Sequence, residues 1–443
     1  MSTLIEKKLQ NLQTPPVIAR YFSTSELADS MPANELASYH VDSLTEILRR
    51  AYERNAFYRE KMDRAGVTPH DIRKLSDISR LPFLTKDELR GKPWLLLACD
   101  KKDIVLIQVS TGTTGGEEIY MTYTWNDYLL NDLAPRYQQL FPVGRGDVCL
   151  NALPYEMSTA GLAFHKTFME GSQATVIPAG KGGAYSTPGK SIKLVKDLRP
   201  NVVVTSPSWA IILAEEAERQ GFALTDLKLK KMWLTGEGCS PAFRQRVEKI
   251  WGTTANFFYG SLECGALGME CDAHDGYHLA QAHAYMEIVD PRTGQPMMPG
   301  EVGEIVVTAL LRYDSPVIRF RTGDLGVLET EPCSCGVGLT RFHMRGRAGD
   351  QLQVQGKAFS PFFVEEFLMR MPEAGNWFQF VMPSSPSAPL KVRCEPAHGV
   401  RPTAELARTM GEKLKASTGL PIQLELVEQL PRPTAKASRV VRE

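Results

Sequence analysis

The residues best suited to chemistry form a hydroxyl- and glycine-rich stretch, Val109–Glu118, with the sequence Val-Ser-Thr-Gly-Thr-Thr-Gly-Gly-Glu-Glu. It follows an apolar, strand-like run at residues 104–107. Glycine permits the dihedral angles of a tight loop, and successive backbone N–H groups in such a loop can form an anion-binding concavity. The Gly-Lys-Ser/Thr ending of a Walker A loop is missing. Taken alone, the stretch fits a phosphate-binding loop and an ordinary turn equally well.

A second set of reactive side chains has the pattern Cys271-x6-His278 followed by Cys333-x-Cys335. Thiolates and an imidazole are the ligands of structural zinc, which is four-coordinate. His274 lies on the same loop and is a competing nitrogen ligand. The spacing is not that of a standard zinc finger, so the alternative is buried, reduced cysteines that pack as small hydrophobic side chains.

Length and charge describe an ordinary soluble chain. Its 443 residues predict two to three domains, and 51 basic residues balance 51 acidic ones. Net charge therefore gives no attraction to nucleic acid or to an anionic membrane. The polar segment Met1–Gln10 does not resemble a signal peptide, and no run approaches the roughly 20 apolar residues of a membrane helix. A cytoplasmic location is expected.

Hydrophobic periodicity divides the chain into a helical start and an α/β remainder. Leu44, Leu48 and Ala51 recur at helical spacing, and Thr85 with Glu88 has the form of a capping box that opens a further helix. From about residue 104, short β-branched runs alternate with amphipathic segments. This alternation predicts a mostly parallel, doubly wound sheet.

Polar residues follow three of the predicted strands, which suits a shared crevice. Ser110, Thr205 and Thr235 each come just after a strand, and ligands of such sheets bind beyond the carboxyl ends of the strands. Residues 286–289 and 304–311 instead look like antiparallel strands joined by a turn, and they predict a small β-subdomain.

After Gly346 the pattern changes to a small α+β domain. Strands are predicted near 352–354, 391–394 and 422–427, and helices near 361–369 and 403–417. The predicted organisation is thus a large N-terminal domain, residues 1–345 with a helical lead-in over 1–100, and a small mobile C-terminal domain, residues 346–443.

Six short motifs occur in a recognisable order. They are Ser110–Gly116, Thr235-Gly236-Glu237-Gly238, Tyr259-Gly260-Ser261-Leu262-Glu263, Phe320-Arg321-Thr322-Gly323-Asp324-Leu325, Gly346-Arg347-Ala348-Gly349-Asp350 and Leu430-Pro431-Arg432-Pro433-Thr434-Ala435-Lys436. In this order they resemble the adenylate-forming superfamily of acyl-CoA synthetases, luciferases and peptide-synthetase adenylation domains.

One branch of that superfamily fits best, the phenylacetate–CoA ligase and coenzyme F390 synthetase group. Its signatures resemble residues 49–58, 81–86 and 174–180 of this chain, and the resemblance runs from about residue 40 to the C-terminus. It implies an acid–CoA ligase of the AMP-forming type, which activates an aromatic or related carboxylate with ATP and Mg²⁺ and then acylates coenzyme A.

The resemblance also assigns roles to individual residues. Lys436 would bridge the substrate carboxylate and the α-phosphate, Glu263 would hold Mg²⁺, and Asp324 would accept hydrogen bonds from the ribose. The Ser110–Gly115 segment would hold the β- and γ-phosphates, and Gly236, Glu237 and Tyr259 would line the adenine slot. The full nucleotide set comprises Ser110, Thr111, Gly112, Thr113, Thr114, Gly115, Gly236, Glu237, Gly238, Tyr259, Gly260, Ser261, Asp324 and Arg347.

Each of these roles has a simpler alternative. Glu263 can be a surface carboxylate, Asp324 a turn residue and Lys436 a solvated tail lysine. Tyr259 can serve core packing instead.

The hinge, the acid pocket and the metal site also follow from the resemblance. The small domain would rotate about Gly349 and Asp350. Matching Cys and His positions occur in this branch and favour structural Zn²⁺ at the four residues named above. The acid pocket would be formed by Tyr155, Glu156, Ala160, Gly161 and His165. Glu156 would either face inward to select an amine or a hydroxyl, or point away at the rim.

One departure from the family pattern concerns the phosphate loop. Gly116 stands where the family usually has lysine, and two glutamates follow. We therefore expect Gly116→Lys to leave ATP binding unimpaired. The same departure keeps a nucleotide-binding protein without turnover among the alternatives. Another alternative is an adenylating enzyme that passes the acyl group to a carrier protein or an amine, and a homodimer is expected by analogy.

Overall fold

The computed structural model describes residues 33–110, 116–130, 139–157, 159–382, 385, 388–433, 436–437 and 439–442. Its α-helices, α1 to α10 in chain order, are Ala33–Arg54, Ala56–Arg64, Lys86–Leu89, Trp125–Leu130, Thr159–Lys166, Pro188–Leu198, Pro207–Arg219, Pro241–Trp251, Pro361–Met369 and Ala404–Thr418. A π-helical turn, Thr167–Gly171, extends α5, and 3₁₀ turns lie at Pro69–Asp71, Leu75–Arg80, Lys101–Asp103, Leu224–Leu227 and Ala348–Asp350.

Strands occupy much of the chain after residue 103. In chain order, β1 to β19 are Ile104–Val109, Tyr120–Thr124, Val148–Ala152, Thr175–Ile177, Val202–Thr205, Lys231–Leu234, Ala255–Ser261, Gly265–Glu270, Tyr277–Leu279, Ala284–Val289, Gly303–Ala309, Phe320–Glu329, Arg341–Arg347, Leu352–Val354, Lys357–Phe359, Ala374–Val381, Leu390–Pro396, Ile422–Leu426 and Val440–Val441.

The chain forms two compact units. The first consists of Met1–Pro178 with Asn256–Met344, and the second of Ala179–Ala255 with Arg345–Glu443. The division after residue 344 lies one residue from the predicted end of the large domain, and the second unit also takes in residues 179–255. The two-domain organisation at residue 346 stays a prediction.

The first unit combines parallel and antiparallel pairing. Strands β3 and β4 pair in parallel, and β1 with β2 forms an antiparallel hairpin. Strands β10-β11-β12-β13-β9-β8-β7 are neighbours in that order. This antiparallel portion is larger than the sequence pattern indicated, because the links from β7 to β8 and from β8 to β9 are too short for a helical crossover.

Helix α1 supplies one wall of the first unit's core. Leu44, Leu48 and Ala51 are buried at the predicted helical spacing, in the same cluster as Val307 on β11 and Phe320 on β12. Apolar burial of this kind is the main stabilising contribution to such a unit. The helical lead-in is therefore part of the core of this unit.

The second unit contains the parallel pair β5–β6 with helices that begin at serine–proline signals. Ser206 caps α7 and Ser240 caps α8, each accepting a backbone hydrogen bond, and proline follows at the first helical position. Serine supplies the missing acceptor there, and proline has no N–H to leave unsatisfied. These caps fix where both helices start.

The C-terminal part of this unit is an α+β structure, as predicted. Its sheet has the order β18-β17-β16-β19 and carries α9 and α10. Every predicted strand and helix of this segment is found within a few residues of its expected place. The mixed α/β architecture confirms the predicted fold class. Among the described residues, no helix is long and apolar enough to cross a membrane.

Candidate active site

Tyr259 and Asp324 form a hydrogen-bonded pair from β7 and β12. The Tyr259 hydroxyl donates to Oδ2 of Asp324 at 2.6 Å, and the Asp324 side chain is largely buried. Burial, with the charge of Asp324, raises the pKa of Tyr259 well above its usual value, so the phenol stays a donor. The ring also packs edge-to-face on Phe342, with centroids 5.7 Å apart. Tyr259 thus contributes to packing as well as orienting the carboxylate.

Glu263 lies in the tight turn between β7 and β8. Gly260 makes this turn possible, because a β-carbon there would lie 2.6 Å from the carbonyl oxygen of Gly265. Ser261 steadies it by accepting a hydrogen bond from the backbone N–H of Cys264 at 3.1 Å. Glu263 is only 6% exposed, and no hydrogen bond or salt bridge reaches its carboxylate from the described residues. Burial of a carboxylate in this way favours a bound cation beside it.

The phosphate loop is described only at its two ends. Thr111, Gly112, Thr113, Thr114 and Gly115 lie outside the described residues. Ser110 pairs with Ile119 across the mouth of the loop: its N–H donates to the Ile119 carbonyl at 2.9 Å, and its Oγ accepts from the Ile119 N–H at 3.0 Å. The Ser110 side chain therefore helps to join the two ends of the loop.

Gly236 and Gly238 flank Glu237 just after β6, in the second unit. Gly236 has φ +82°, a left-handed conformation that glycine adopts without strain. A β-carbon on Gly238 would lie 2.5 Å from the ring of Phe362, which is part of α9. Both glycines are therefore required by local geometry.

Glu237 is buried and ionised. Its Oε1 accepts from Lys181 Nζ at 2.9 Å, from Ser208 Oγ at 2.8 Å and from the backbone N–H of Ala437 at 3.2 Å. Its Oε2 accepts from the backbone N–H of Ser208 at 3.3 Å. Burial raises the pKa of Glu237, but the charge and hydrogen bond of Lys181 and the Ser208 hydroxyl outweigh it and hold the pKa below its usual value.

Lys436 and the hinge residues belong to the same unit. Lys436 is exposed, and its C-terminal neighbour Ala437 makes the contact with Glu237. Arg347 is half-buried at the end of β13, where its carbonyl accepts a hydrogen bond from Gln351 at 2.8 Å. Gly349 and Asp350 follow it in a 3₁₀ turn and are exposed.

The expected acid-pocket residues surround the start of α5. The Tyr155 hydroxyl receives a hydrogen bond from Asn151 Nδ2 at 2.9 Å and lies 3.2 Å from His165 Nδ1. Burial raises the pKa of Tyr155 to about 12. A β-carbon on Gly161 would lie 2.3 Å from the Pro154 carbonyl oxygen, so this turn requires glycine.

The two remaining residues of the expected acid pocket differ in exposure. Ala160 is half-buried in the first turn of α5. Glu156 is exposed, and its Oε2 accepts from the backbone N–H of Tyr155 at 3.2 Å. The exposed position agrees with an orientation that points away, and the role of Glu156 stays a prediction.

Cys271, His278, Cys333 and Cys335 meet in one cluster. Their ligand atoms all lie within 4.8 Å of one another. The sulfurs of Cys271 and Cys333 are 3.6 Å apart, and Cys335 Sγ is 3.3 Å from His278 Nε2. Zinc–ligand bonds of about 2.0–2.3 Å in a tetrahedron give separations of this size. The competing His274 instead lies 3.6 Å from Glu270.

The sequence analysis missed Asn151 and Lys181. Asn151 lies on β3, where its amide also donates to the Gly161 carbonyl at 2.8 Å. Lys181 is 8% exposed, a low value for lysine, and comes directly after the family signature at residues 174–180. A lysine following that signature was the available signal for it.

Comparison with known proteins identifies the class. A sequence profile of the AMP-binding enzyme family matches residues 36–309. The chain belongs to that family.

Its place in the family is the phenylacetate–CoA ligase branch. A phenylacetate–coenzyme A ligase of Thermus thermophilus is 33% identical over 364 residues, which cover 80% of each chain. The enzyme of that name from Escherichia coli K12 is 30% identical over 438 residues, 93% of this chain and 96% of the relative. The predicted family and enzyme class, an AMP-forming acid–CoA ligase, are confirmed.

Solved structures share the fold. A 2-hydroxyisobutyryl-CoA ligase in a postadenylation state, in complex with an acyl-AMP, superposes with a TM-score of 0.87 at 22% identity over 98% of this chain and 94% of that one. An anthranilate CoA ligase in complex with anthranoyl-AMP gives a TM-score of 0.61 at 17% identity over 77% and 66% of the two chains.

Proposed function

We propose that the protein activates an aromatic carboxylic acid with ATP as an acyl-adenylate and then transfers the acyl group to coenzyme A. The relatives named phenylacetate–CoA ligase support this class of acid and this acceptor. The observation that carries the proposal is the buried carboxylate of Glu263, without a partner among the described residues, in the turn that follows the strand of Tyr259. A carboxylate in this position suits Mg²⁺, which takes few protein ligands and relies on substrate phosphates.

In the first half-reaction, a carboxylate oxygen of the acid attacks the α-phosphorus of ATP, and the bond to the pyrophosphate oxygen breaks. Mg²⁺ bound by Glu263 would supply positive charge to the phosphates. Asp324, oriented by Tyr259, would accept hydrogen bonds from the ribose hydroxyls. The Lys436 ammonium would stabilise the charge that develops between the carboxylate and the α-phosphate. Such catalysis is mainly positioning and electrostatic stabilisation.

In the second half-reaction, the sulfur of coenzyme A attacks the acyl carbonyl carbon, the thiol proton is released, and AMP leaves with the former carboxylate oxygen. Lys436 has no part in this step, so the small domain would rotate about Gly349 and Asp350 to withdraw it. The exposed 3₁₀ turn that contains both residues supports a hinge, since few packing contacts resist a change of its dihedral angles.

The acid would bind beside Tyr155. Its ring stands edge-to-face on His165, with centroids 5.9 Å apart and an interplanar angle of 84°. The side-chain amide of Asn151 donates a hydrogen bond to the Tyr155 hydroxyl, so the Tyr155 ring is fixed before the acid binds. A rigid aromatic wall favours an aromatic or similarly flat acid. Glu156 faces solvent and would not select an amine.

We further propose that Cys271, His278, Cys333 and Cys335 hold a structural zinc ion. The set offers three sulfurs and one imidazole nitrogen, two of whose separations, 3.6 and 3.3 Å, are those of a zinc tetrahedron, and four protein ligands would leave no open position for a substrate. Zinc would join the end of β8, β9 and the loop before β13, which are distant in sequence.

Isotope exchange between ATP and pyrophosphate tests the first half-reaction. Phenylacetate, benzoate and hydroxybenzoates should be compared with an aliphatic acid such as 2-hydroxyisobutyrate. Exchange with an aryl acid is the expected result, and absence of exchange with every acid would favour a nucleotide-binding protein without turnover.

Coenzyme A is then added to the acid that supports exchange. Formation of the thioester is expected. If the adenylate persists with coenzyme A but is consumed by a carrier protein or an amine, that compound and not coenzyme A is the acceptor. The homodimer and the cytoplasmic location remain predictions.

A further inference from the structure

We infer that the buried pair Lys181–Glu237 is a docking point that positions Lys436 for adenylation. This inference rests on the proposed function and adds a positioning residue, Lys181, to it. The chemical basis is the contact between the Ala437 N–H and Oε1 of Glu237. Ala437 is joined to Lys436 by one peptide bond, so this hydrogen bond fixes the backbone from which the Lys436 side chain extends.

Glu237 can serve as a docking point because its carboxylate is held from several directions. Oε1 of Glu237 accepts hydrogen bonds from Lys181 Nζ and from the Ser208 hydroxyl. Oε2 accepts one from the backbone N–H of Ser208. Ser208 belongs to the first turn of α7, a helix of 13 residues, so the carboxylate also lies at the positive end of a helix dipole. The acceptor is therefore preorganised in position and in charge.

Lys181 is itself fixed. Its Nζ donates to Ser206 Oγ at 2.8 Å, and Ser206 is the N-cap of the same helix. The side chains of Lys181 and Glu237 are 5% and 8% exposed, so their attraction is little screened by water. Removing the lysine charge would leave Glu237 buried without its cation, and the carboxylate would then be protonated or displaced.

The exposed position of Lys436 makes this docking contact important. Burial does not position its side chain, and the hydrogen bond from Ala437 to Glu237 supplies a fixed point one residue away. When the small domain undocks for the second half-reaction, Glu237 keeps Lys181 and Ser208 as partners. At Glu237, undocking breaks one hydrogen bond to a carboxylate that remains compensated, while the contacts of α9 with Ser240 and Ala242 would have to separate as well.

The experiment measures the two half-reactions separately for Lys181→Met. The first is exchange between ATP and pyrophosphate at saturating acid. The second is thioester formation from a synthetic acyl-adenylate and coenzyme A. We expect kcat of exchange to fall about 10-fold or more, because misplacement of a catalytic group by about 1 Å has effects of this order. Thioester formation should stay within error of the wild type.

Three further variants make the result specific. Lys181→Arg should recover part of the exchange rate, and Ser208→Ala should lower it in the same direction but less. Lys193→Met, which removes an exposed lysine of α6, is the matched control and should change neither half-reaction. Thermal unfolding of each variant identifies any that fail to fold.

Several outcomes would overturn the inference. An unchanged exchange rate in Lys181→Met would do so, as would an equal loss in both half-reactions, which is the signature of general disruption. A rise in the ATP KM with kcat unchanged would assign Lys181 to nucleotide binding instead. Wild-type protein that exchanges with no acid would refute the proposed function itself, which is a separate result.

Discussion

The guanidinium of Arg90 occupies the space beside Gly116. A β-carbon on Gly116 would lie 2.9 Å from Arg90 Nη1, and Gly116 has φ +96°. Arg90 Nη1 also donates to the carbonyl of Glu117 at 3.1 Å. The phosphate loop therefore has a cation at its end even though lysine is absent from its sequence.

This relationship reverses the expectation for Gly116→Lys. A side chain there would be strained at positive φ and would displace Arg90, at a cost of about 1–3 kcal/mol. We expect a lower thermal stability and a higher ATP KM. Gly144→Ala is the control, because nothing lies within 4 Å of the added carbon and its φ is not positive. A Gly116→Lys protein with unchanged stability and ATP KM would contradict the steric argument.

Glu263→Gln should separate activity from stability. Exchange between ATP and pyrophosphate should fall about 100-fold or more, since a charge at the phosphates is lost. Without Mg²⁺ and nucleotide, the variant should unfold at a higher temperature than the wild type, because a buried carboxylate with no partner among the described residues is replaced by a neutral amide. Calorimetry in buffer without added Mg²⁺ or nucleotide, and without a chelator that would remove zinc, measures this difference. A lower unfolding temperature would mean that Glu263 has a stabilising partner.

Tyr155→Phe tests the acid pocket. The change removes the hydroxyl between Asn151 and His165 and leaves the ring, so kcat/KM for the preferred acid should fall about 5-fold, the equivalent of one hydrogen bond of about 1 kcal/mol. The KM for ATP should not change. Glu156→Gln, at the exposed rim, is the comparison and should be neutral. Equal effects of both variants would count against Tyr155 as a pocket wall.

Metal analysis tests the cysteine–histidine cluster. Purified wild type should contain one zinc per chain, and Cys333→Ser should contain little, because three ligands bind zinc much less tightly than four. Cys99→Ser removes a half-buried cysteine outside the cluster and should keep its zinc. Equal zinc content in all three proteins would show that this cluster does not bind zinc.

Glu365 gives the second unit a pH-dependent stability. Burial raises its pKa from 4.5 to about 7, against the charge of Arg439 and the N–H of Ser240, with Glu366 adding to the rise. The folded state thus binds more protons than the unfolded state between these values, so stability falls as pH rises through that window and is constant above it. The full loss is roughly 3 kcal/mol at 1.36 kcal/mol per pKa unit.

Thermal unfolding between pH 5 and pH 8 measures this loss. Glu365→Gln keeps an acceptor for Ser240 but cannot ionise, so its stability should fall less over that range than that of the wild type. Glu366→Gln, a change at the next residue of α9, should follow the wild-type curve. Identical pH profiles for all three proteins would exclude Glu365 as the titrating group.

The sequence predicted what depends on local pattern or on rare residue types. The residue pattern after Gly346 located α9, α10 and the strands β14, β17 and β18 but not β15, β16 and β19, and the thiol and imidazole side chains identified the candidate metal cluster. The capping box of Thr85 and Glu88 is present, yet α3 ends after only four residues. A cap determines where a helix starts, while its length depends on tertiary packing.

Contacts between distant positions could not be read from the sequence. Lys181 and Glu237 are 56 residues apart, and Arg90 and Glu117 are 27 apart. Neither pair has a spacing that implies proximity, and a lone lysine or arginine is normally solvated. The extent of antiparallel pairing was underestimated because short β-branched runs look alike in both kinds of sheet.

The first turn of α8 contains no acidic residue of its own. Acidic residues of α9 accept hydrogen bonds from its N–H groups instead. The Glu365 side chain accepts from the backbone N–H of Ser240 at 2.9 Å, and the Glu366 side chain from that of Ala242 at 2.8 Å. A chain truncated near residue 344 would leave that helix terminus without these two acceptors and would uncover apolar surface such as Phe243. In this arrangement the C-terminal segment caps the start of α8, and its proposed rotation would expose that helix terminus.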